Sequence, residues 1–96
     1  MKIKITPKNI LQHELIGLKV EVKQAKNKLN EGIKGLVVNE TKNMLWIEDE
    51  KSKIKKIPKK DTIFMFILPD GKKVLVDGNA ILARPEERIK KKVRKW

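Results

Sequence analysis

The chain has 96 residues, enough for one small domain, and its 24 basic and 12 acidic residues give a formal charge of +12. It has no cysteine, which excludes disulfides, thiolate metal sites and thiol catalysis. The longest apolar run, Ile63 to Leu68, is too short to cross a bilayer, and MKIKITPKN at the start lacks the apolar region of a secretory signal, so a cytoplasmic protein with no membrane role is expected.

The elements follow in chain order. Thr6 is an N-cap candidate and Pro7 suits a first helical position. Ile10, Leu11, Leu15 and Ile16 recur at helical spacing up to Gly17, so a short helix is expected over 6–16. Leu18, Val20 and Val22 then alternate with Lys19, Glu21 and Lys23, the pattern of a half-buried strand. After the polar stretch 27–32 comes GIKGLVVNE, where Gly32 and Gly35 sit before or within an apolar run and mark a bulge or bend. The turn Asn39 to Asn43 leads into MLWIE (44–48), followed by KIKKI (53–57) and TIFMFIL (62–68). Pro69-Asp70-Gly71 is a hairpin signal into KKVLV, and Asp77-Gly78-Asn79 is a turn into AIL.

Six or seven short strands follow with a turn about every ten residues, and there are too few residues for two full sheets. A mainly β fold is expected, a small, strongly bent antiparallel barrel over 18–83, because closure removes exposed edges. The end of the chain, RPEERIKKKVRKW (84–96), reads as a basic helix over 85–95. Pro85 suits its first position, and Glu86 and Glu87 fill the first turn, where the helix dipole favours anions. Lys and Arg fill the later turns, where it favours cations, and Ile89, Val93 and Trp96 share one face.

The charge excess points to a polyanion, with nucleic acid ahead of a membrane surface. The closing segment carries seven basic residues against two acidic ones, including Arg84, Arg88, Lys91, Lys92, Arg94 and Lys95. A second basic run, KSKIKKIPKK (51–60), contains Lys55, Lys56, Lys59 and Lys60. It reads equally as phosphate contacts or as an edge strand protected by lysine. Lys42 and Asn43 lie in the turn NETKN, whose residue types read RNA in loops but are also ordinary turn formers. The single histidine, His13, fits a surface or capping role. Glu48-Asp49-Glu50 is the only acidic cluster, and adjacent acids on a strand point to opposite faces, a poor start for a Mg²⁺ site. No nucleophile constellation, phosphate loop or metal-ligand spacing is present, so an enzyme acting alone is not expected.

Taken in order, HELIGLKVEV (13–22), GIKGLVVNETKNML (32–45), KKIPKKDTIFMF (55–66), a DG turn and RPEERIKKK (84–92) resemble the protein component 1 family of archaeal ribonuclease P. That family is the archaeal counterpart of a subunit shared by eukaryotic ribonuclease P and the mitochondrial-RNA-processing nuclease. The resemblance implies an Sm-like barrel with terminal helices and a non-catalytic role. The subunit would help fold the ribonuclease P RNA, which removes 5′ leaders from precursor tRNA with Mg²⁺ held mainly by RNA, so no cofactor would belong to the protein. It also implies a zinc-ribbon partner subunit and further protein subunits. Carried over, the closing motif falls on Arg84 to Arg88, the central turn on Asn39 to Asn43, and the basic strand-end on Lys59 and Lys60. The zinc-ribbon contact would use Ile10, Leu11, Ile89 and Val93.

Three other readings fit parts of the pattern. They are a ribosomal protein with an SH3-like barrel, a ring-forming Sm-like RNA chaperone, and a small nuclease using Glu48, Asp49 and Glu50.

Overall fold

The computed structural model describes Ile10, residues 14–84 and Glu87. The helices expected over 6–16 and 85–95 fall mostly outside these residues. Within them, Leu15 and Leu18 close a turn at Gly17, whose φ of 96° suits a residue without a side chain.

Six strands follow: β1 (Lys19–Gln24), β2 (Lys34–Glu40), β3 (Met44–Glu48), β4 (Ile54–Pro58), β5 (Ile63–Ile67) and β6 (Lys73–Asp77). All neighbours are antiparallel, in the order β4-β3-β2-β1-β5-β6. Strand neighbours in the sequence pair as hairpins except β4 and β5. The chain returns from β4 across the sheet so that β5 lies along β1, with Val20 opposite Phe66.

The alternation read from the sequence sets which face is buried. Val20 and Val22, Leu45 and Ile47, and Phe64 and Phe66 point inward, while Lys19, Glu21, Trp46 and Met65 point outward. All six strands feed one core, including Ile57 of edge strand β4 and Val76 of edge strand β6. A single sheet can place both its edges on one core only by curling over it. Phe64 and Phe66 are fully buried with ring centroids 6.1 Å apart. Burial of each contributes roughly 1.5–3 kcal/mol.

Bends supply the curl. β2 pairs with β1 through Lys34–Leu36 and with β3 through Leu36–Glu40, with a register shift between Val37 and Asn39. At the bend Gly35 presses against the carbonyl of Glu48, and a Cβ there would overlap it. The strand glycine noted in the sequence thus permits a close backbone approach.

Two expectations are corrected. The barrel is not closed, since β4 and β6 are both edges and no ladder joins them. The residues that follow them meet at one corner, where the Gly78 amide donates to the Thr62 carbonyl at 2.7 Å and a Cβ on Gly78 would overlap the Lys59 carbonyl. AIL, the candidate seventh strand, instead belongs to a one-turn 3-10 helix, Gly78–Ile81, capped by the Asp77 carboxylate accepting from the Asn79 amide at 2.9 Å. Ile81 plugs the core from this turn, so its burial needs no strand. The Pro69-Asp70-Gly71 hairpin forms as expected, with Gly71 at φ 90° and its amide donating to Leu68.

Candidate nucleic-acid interface

The turn between β2 and β3, the end of β4 and the segment after the 3-10 turn meet at one end of the sheet. The β2–β3 hairpin is tight: the Thr41 amide donates to the Met44 carbonyl at 3.0 Å, and the Met44 amide to the Thr41 hydroxyl at 3.2 Å. This leaves Lys42 and Asn43 exposed at its tip. One step beyond the β3–β4 ladder, the Lys59 amide donates to the Asn43 carbonyl at 2.8 Å, tying the tip to β4.

The side chain of Lys59 turns inward. Its ammonium lies 2.8 Å from Glu40 Oε2 with both side chains fully buried, and it also donates to the Ala83 carbonyl at 2.9 Å. Reading Lys59 as a phosphate contact is thereby corrected: its charge is engaged inside the fold. The cause is period two. Ile57 points into the core, Pro58 points out, and Lys59 falls on the inner face again. Glu40 lies opposite Leu45, which lies opposite Ile57, so the carboxylate comes to the same end of the same face.

Above this pair runs an open groove lined by Glu14, Ile16, Asn39, Glu40, Thr41, Lys42, Asn43 and Arg84. It brings together Lys42, Asn43 and Arg84, which are far apart in sequence, and each is exposed. The Arg84 amide donates to Glu87 Oε1 at 3.3 Å and the Glu87 amide to the Arg84 carbonyl at 3.0 Å, a reciprocal exchange in which the Glu side chain plays its capping-box part.

The other basic candidates are placed elsewhere. Lys60 lines a separate groove with Lys26, Asn27 and Asn30. Lys55 and Lys56 lie on edge strand β4, and Lys56 sits 4.4 Å above the ring of its cross-strand partner Trp46. Ile10, expected at the zinc-ribbon contact, is only 2 % exposed and belongs to this chain's own core, so that expectation is corrected. Leu11, Arg88, Ile89, Lys91, Lys92, Val93, Arg94 and Lys95 lie outside the described residues.

The acidic cluster is a turn. The Asp49 carboxylate accepts from the amides of Lys51 and Lys53 at 2.9 and 3.0 Å, and Ser52 takes a φ of 63°. The Lys53 amide first, then that of Lys51 and the charges of Lys55 and Lys53, hold Asp49 below the ordinary carboxylate range against a partial opposing effect of burial. Among the described residues no group of three or more His, Cys, Asp or Glu is placed to hold a metal, and no helix is long and apolar enough to cross a membrane.

Sequence reading missed Glu40 as a partner for Lys59. The available signal was that both fall on inward-facing positions at the ends of β2 and β4, the two strands that flank β3. It also missed Gly78 as a point of close approach.

Known proteins bear on this geometry. The family model for ribonuclease P/MRP, subunit p29, matches residues 8–91. Ribonuclease P protein component 1 of Methanocaldococcus jannaschii is 58% identical over 90 residues, covering 94% of each chain. That of Methanosphaera stadtmanae is 50% identical over 91 residues, covering 95% of this chain and 97% of the other. The solved structure of Mth11, described as a homologue of human RNase P protein Rpp29, is similar with a TM-score of 0.60 at 45% identity, over 80% of this chain and 99% of that one. On the extent of these matches, the chain belongs to the p29 subunit family of ribonuclease P and the related MRP nuclease.

Proposed function

We propose that this chain is a non-catalytic protein subunit of ribonuclease P that binds and stabilises the catalytic RNA of the particle that removes 5′ leaders from precursor tRNA. The observation that carries the RNA-binding part is the gathering of Lys42, Asn43 and Arg84 around one groove. Two exposed cations beside an amide suit a folded RNA backbone, with Asn43 available to a 2′-hydroxyl or base edge. The net charge of +12 supplies the long-range attraction. In this reading the protein positions RNA and the RNA holds the catalytic Mg²⁺.

The partners in this reading are ribonuclease P RNA, a zinc-ribbon subunit forming a heterodimer with this chain, and further ribonuclease P proteins, with precursor tRNA reached indirectly; family membership supports the RNA and the other proteins. With Ile10 committed to the core, the zinc-ribbon contact falls to Leu11, Ile89 and Val93.

The test is binding of the full chain to ribonuclease P RNA over a salt series. Lys42→Ala and Arg84→Ala should each weaken binding and each flatten the log–log salt slope by about one unit, the mark of one lost phosphate contact. Slopes matching the wild type would remove the groove from the interface. Tagging the chain in its cells and washing at high salt checks the assignment itself. Retained ribonuclease P RNA with a zinc-ribbon protein supports it, and ribosomal RNA with ribosomal proteins overturns it.

A further inference from the structure

We propose that Lys59 is a positioning residue for RNA: through its buried ammonium it sets Arg84 against Lys42 and Asn43 while making no phosphate contact itself. This rests on the RNA-binding reading and adds a division of labour among its lysines.

Lys59 reaches two walls of the groove from below, the β2–β3 turn and the segment that leads to Arg84. Its backbone amide holds the Asn43 carbonyl at 2.8 Å, and its ammonium holds Glu40 at 2.8 Å and the Ala83 carbonyl at 2.9 Å. The last contact spans 24 residues of sequence. The Ala83 carbonyl and the Arg84 amide belong to one peptide unit, which is planar and rigid. Lys59 anchors the oxygen of that plane and Glu87 accepts from its nitrogen at 3.3 Å. With both ends of the plane held, the Arg84 Cα, which lies in that plane, is fixed in place. On the opposite wall, Glu40 immediately precedes the Thr41–Met44 turn that presents Lys42 and Asn43. The two walls meet on this buried cation, so separating them breaks its bond to Glu40 or to Ala83 in the interior, where such a loss is costly. A pre-formed groove spares the RNA the cost of ordering it on binding.

The experiment uses two variants of the full chain and ribonuclease P RNA. Glu40→Leu combined with Lys59→Met removes both charges in similar volume, a replacement that buried ion pairs commonly tolerate. It keeps the Lys59 amide on Asn43 and loses the anchor on Ala83. Glu40→Gln does the reverse: the ammonium still reaches an amide oxygen and the Ala83 carbonyl, while the ion pair with Glu40 is lost.

Stability and affinity should therefore move apart. The double variant should melt near the wild type yet bind RNA on the order of tenfold more weakly, with an unchanged salt slope. Glu40→Gln should melt well below the wild type, and where it is folded its RNA binding should keep the wild-type salt slope, since no phosphate contact is lost. Wild-type affinity in the double variant would overturn the proposal, since the pair would then serve the fold alone. A slope flattened by about one unit would overturn it too, because Lys59 would then meet a phosphate. If the double variant does not fold, Lys59→Met alone, measured where it is folded, decides: weaker binding with an unchanged slope supports the proposal, and wild-type affinity or a slope flattened by about one unit overturns it. Failure of the wild-type chain to bind this RNA would appear first and would defeat the RNA-binding reading itself.

Discussion

The groove end of the sheet and the β3–β4 turn at the other end use the same two devices, a carboxylate and a glycine, with opposite consequences. At the groove end Glu40 is fully buried against Lys59, and Gly78 presses on the Lys59 carbonyl. At the β3–β4 turn Asp49 is bonded to the amides of Lys51 and Lys53, and Gly35 presses on the carbonyl of Glu48. A carboxylate on exposed amides organises a turn and can be lost with little harm. A carboxylate buried against one cation commits the surrounding fold to keeping both.

The comparison breaks most visibly at Lys59. Lys59→Ala leaves Glu40 buried without its cation and the Ala83 carbonyl without its donor. Breaking a buried pair from one side costs about 3–5 kcal/mol. Urea denaturation should show a loss of this size, a large part of the stability of a small domain. The corresponding truncation at the other end, Asp49→Ala, removes a turn contact and should have a much smaller effect.

The two glycines sharpen the contrast. At each, a Cβ would overlap backbone atoms, which cannot swing aside as a flexible side chain can. Gly35→Ala and Gly78→Ala should each cost about 1–3 kcal/mol, the usual range for overpacking. Their effects on RNA binding should differ. Gly78→Ala pushes on Lys59 and Thr62 and so disturbs the groove, while Gly35→Ala disturbs Glu48 and Asp49, away from it. Parallel measurements of melting and RNA affinity should show matched losses of stability with a loss of affinity only for Gly78→Ala.

How much of this was legible in the sequence depended on whether the signal was local. Hydrophobic alternation located the strands, and MLWIE at 44–48 coincides with β3. Gly35 was legible as a bend because glycine in an apolar strand has few other uses. The open edge was not legible, because closure depends on how far the sheet curls, a sum over many small bends. AIL has strand-like residues but forms a 3-10 turn, because Gly78 must lie against Lys59 and Ile81 must reach the core. Lys59 was misread because its charge was weighed and its phase was not. Ile57 fixes the inward phase of β4, and that phase carries Lys59 inside. The meeting of Arg84 with Lys42 joins residues far apart in the sequence, and nothing local announces it.

Among the smaller effects, Lys56→Ala removes the ammonium 4.4 Å from the Trp46 ring. A contact of this kind at an exposed site contributes about 0.5–1 kcal/mol. Since Lys56 lies outside the groove lining, the same variant asks whether edge strand β4 meets RNA: an unchanged salt slope would leave it as a protected edge.

The smallest expected effect is the pH response of Asp49. Its amide partners and the nearby lysines favour the ionised form, so its folded pKa lies below the ordinary value. The unfolded chain therefore takes up this proton first on acidification, and proton uptake by the unfolded state lowers stability. The contribution is fully present above the ordinary carboxylate pKa of about 3.9 and is lost as pH falls through the lower folded value. Asp49→Asn should show a shallower decline than the wild type below about pH 4, and only a slight difference near neutrality, where its amide oxygen can still accept from Lys51 and Lys53. Thermal melts of the two proteins across that range measure the difference. Identical slopes would mean that the turn holds Asp49 no more firmly than the unfolded chain does.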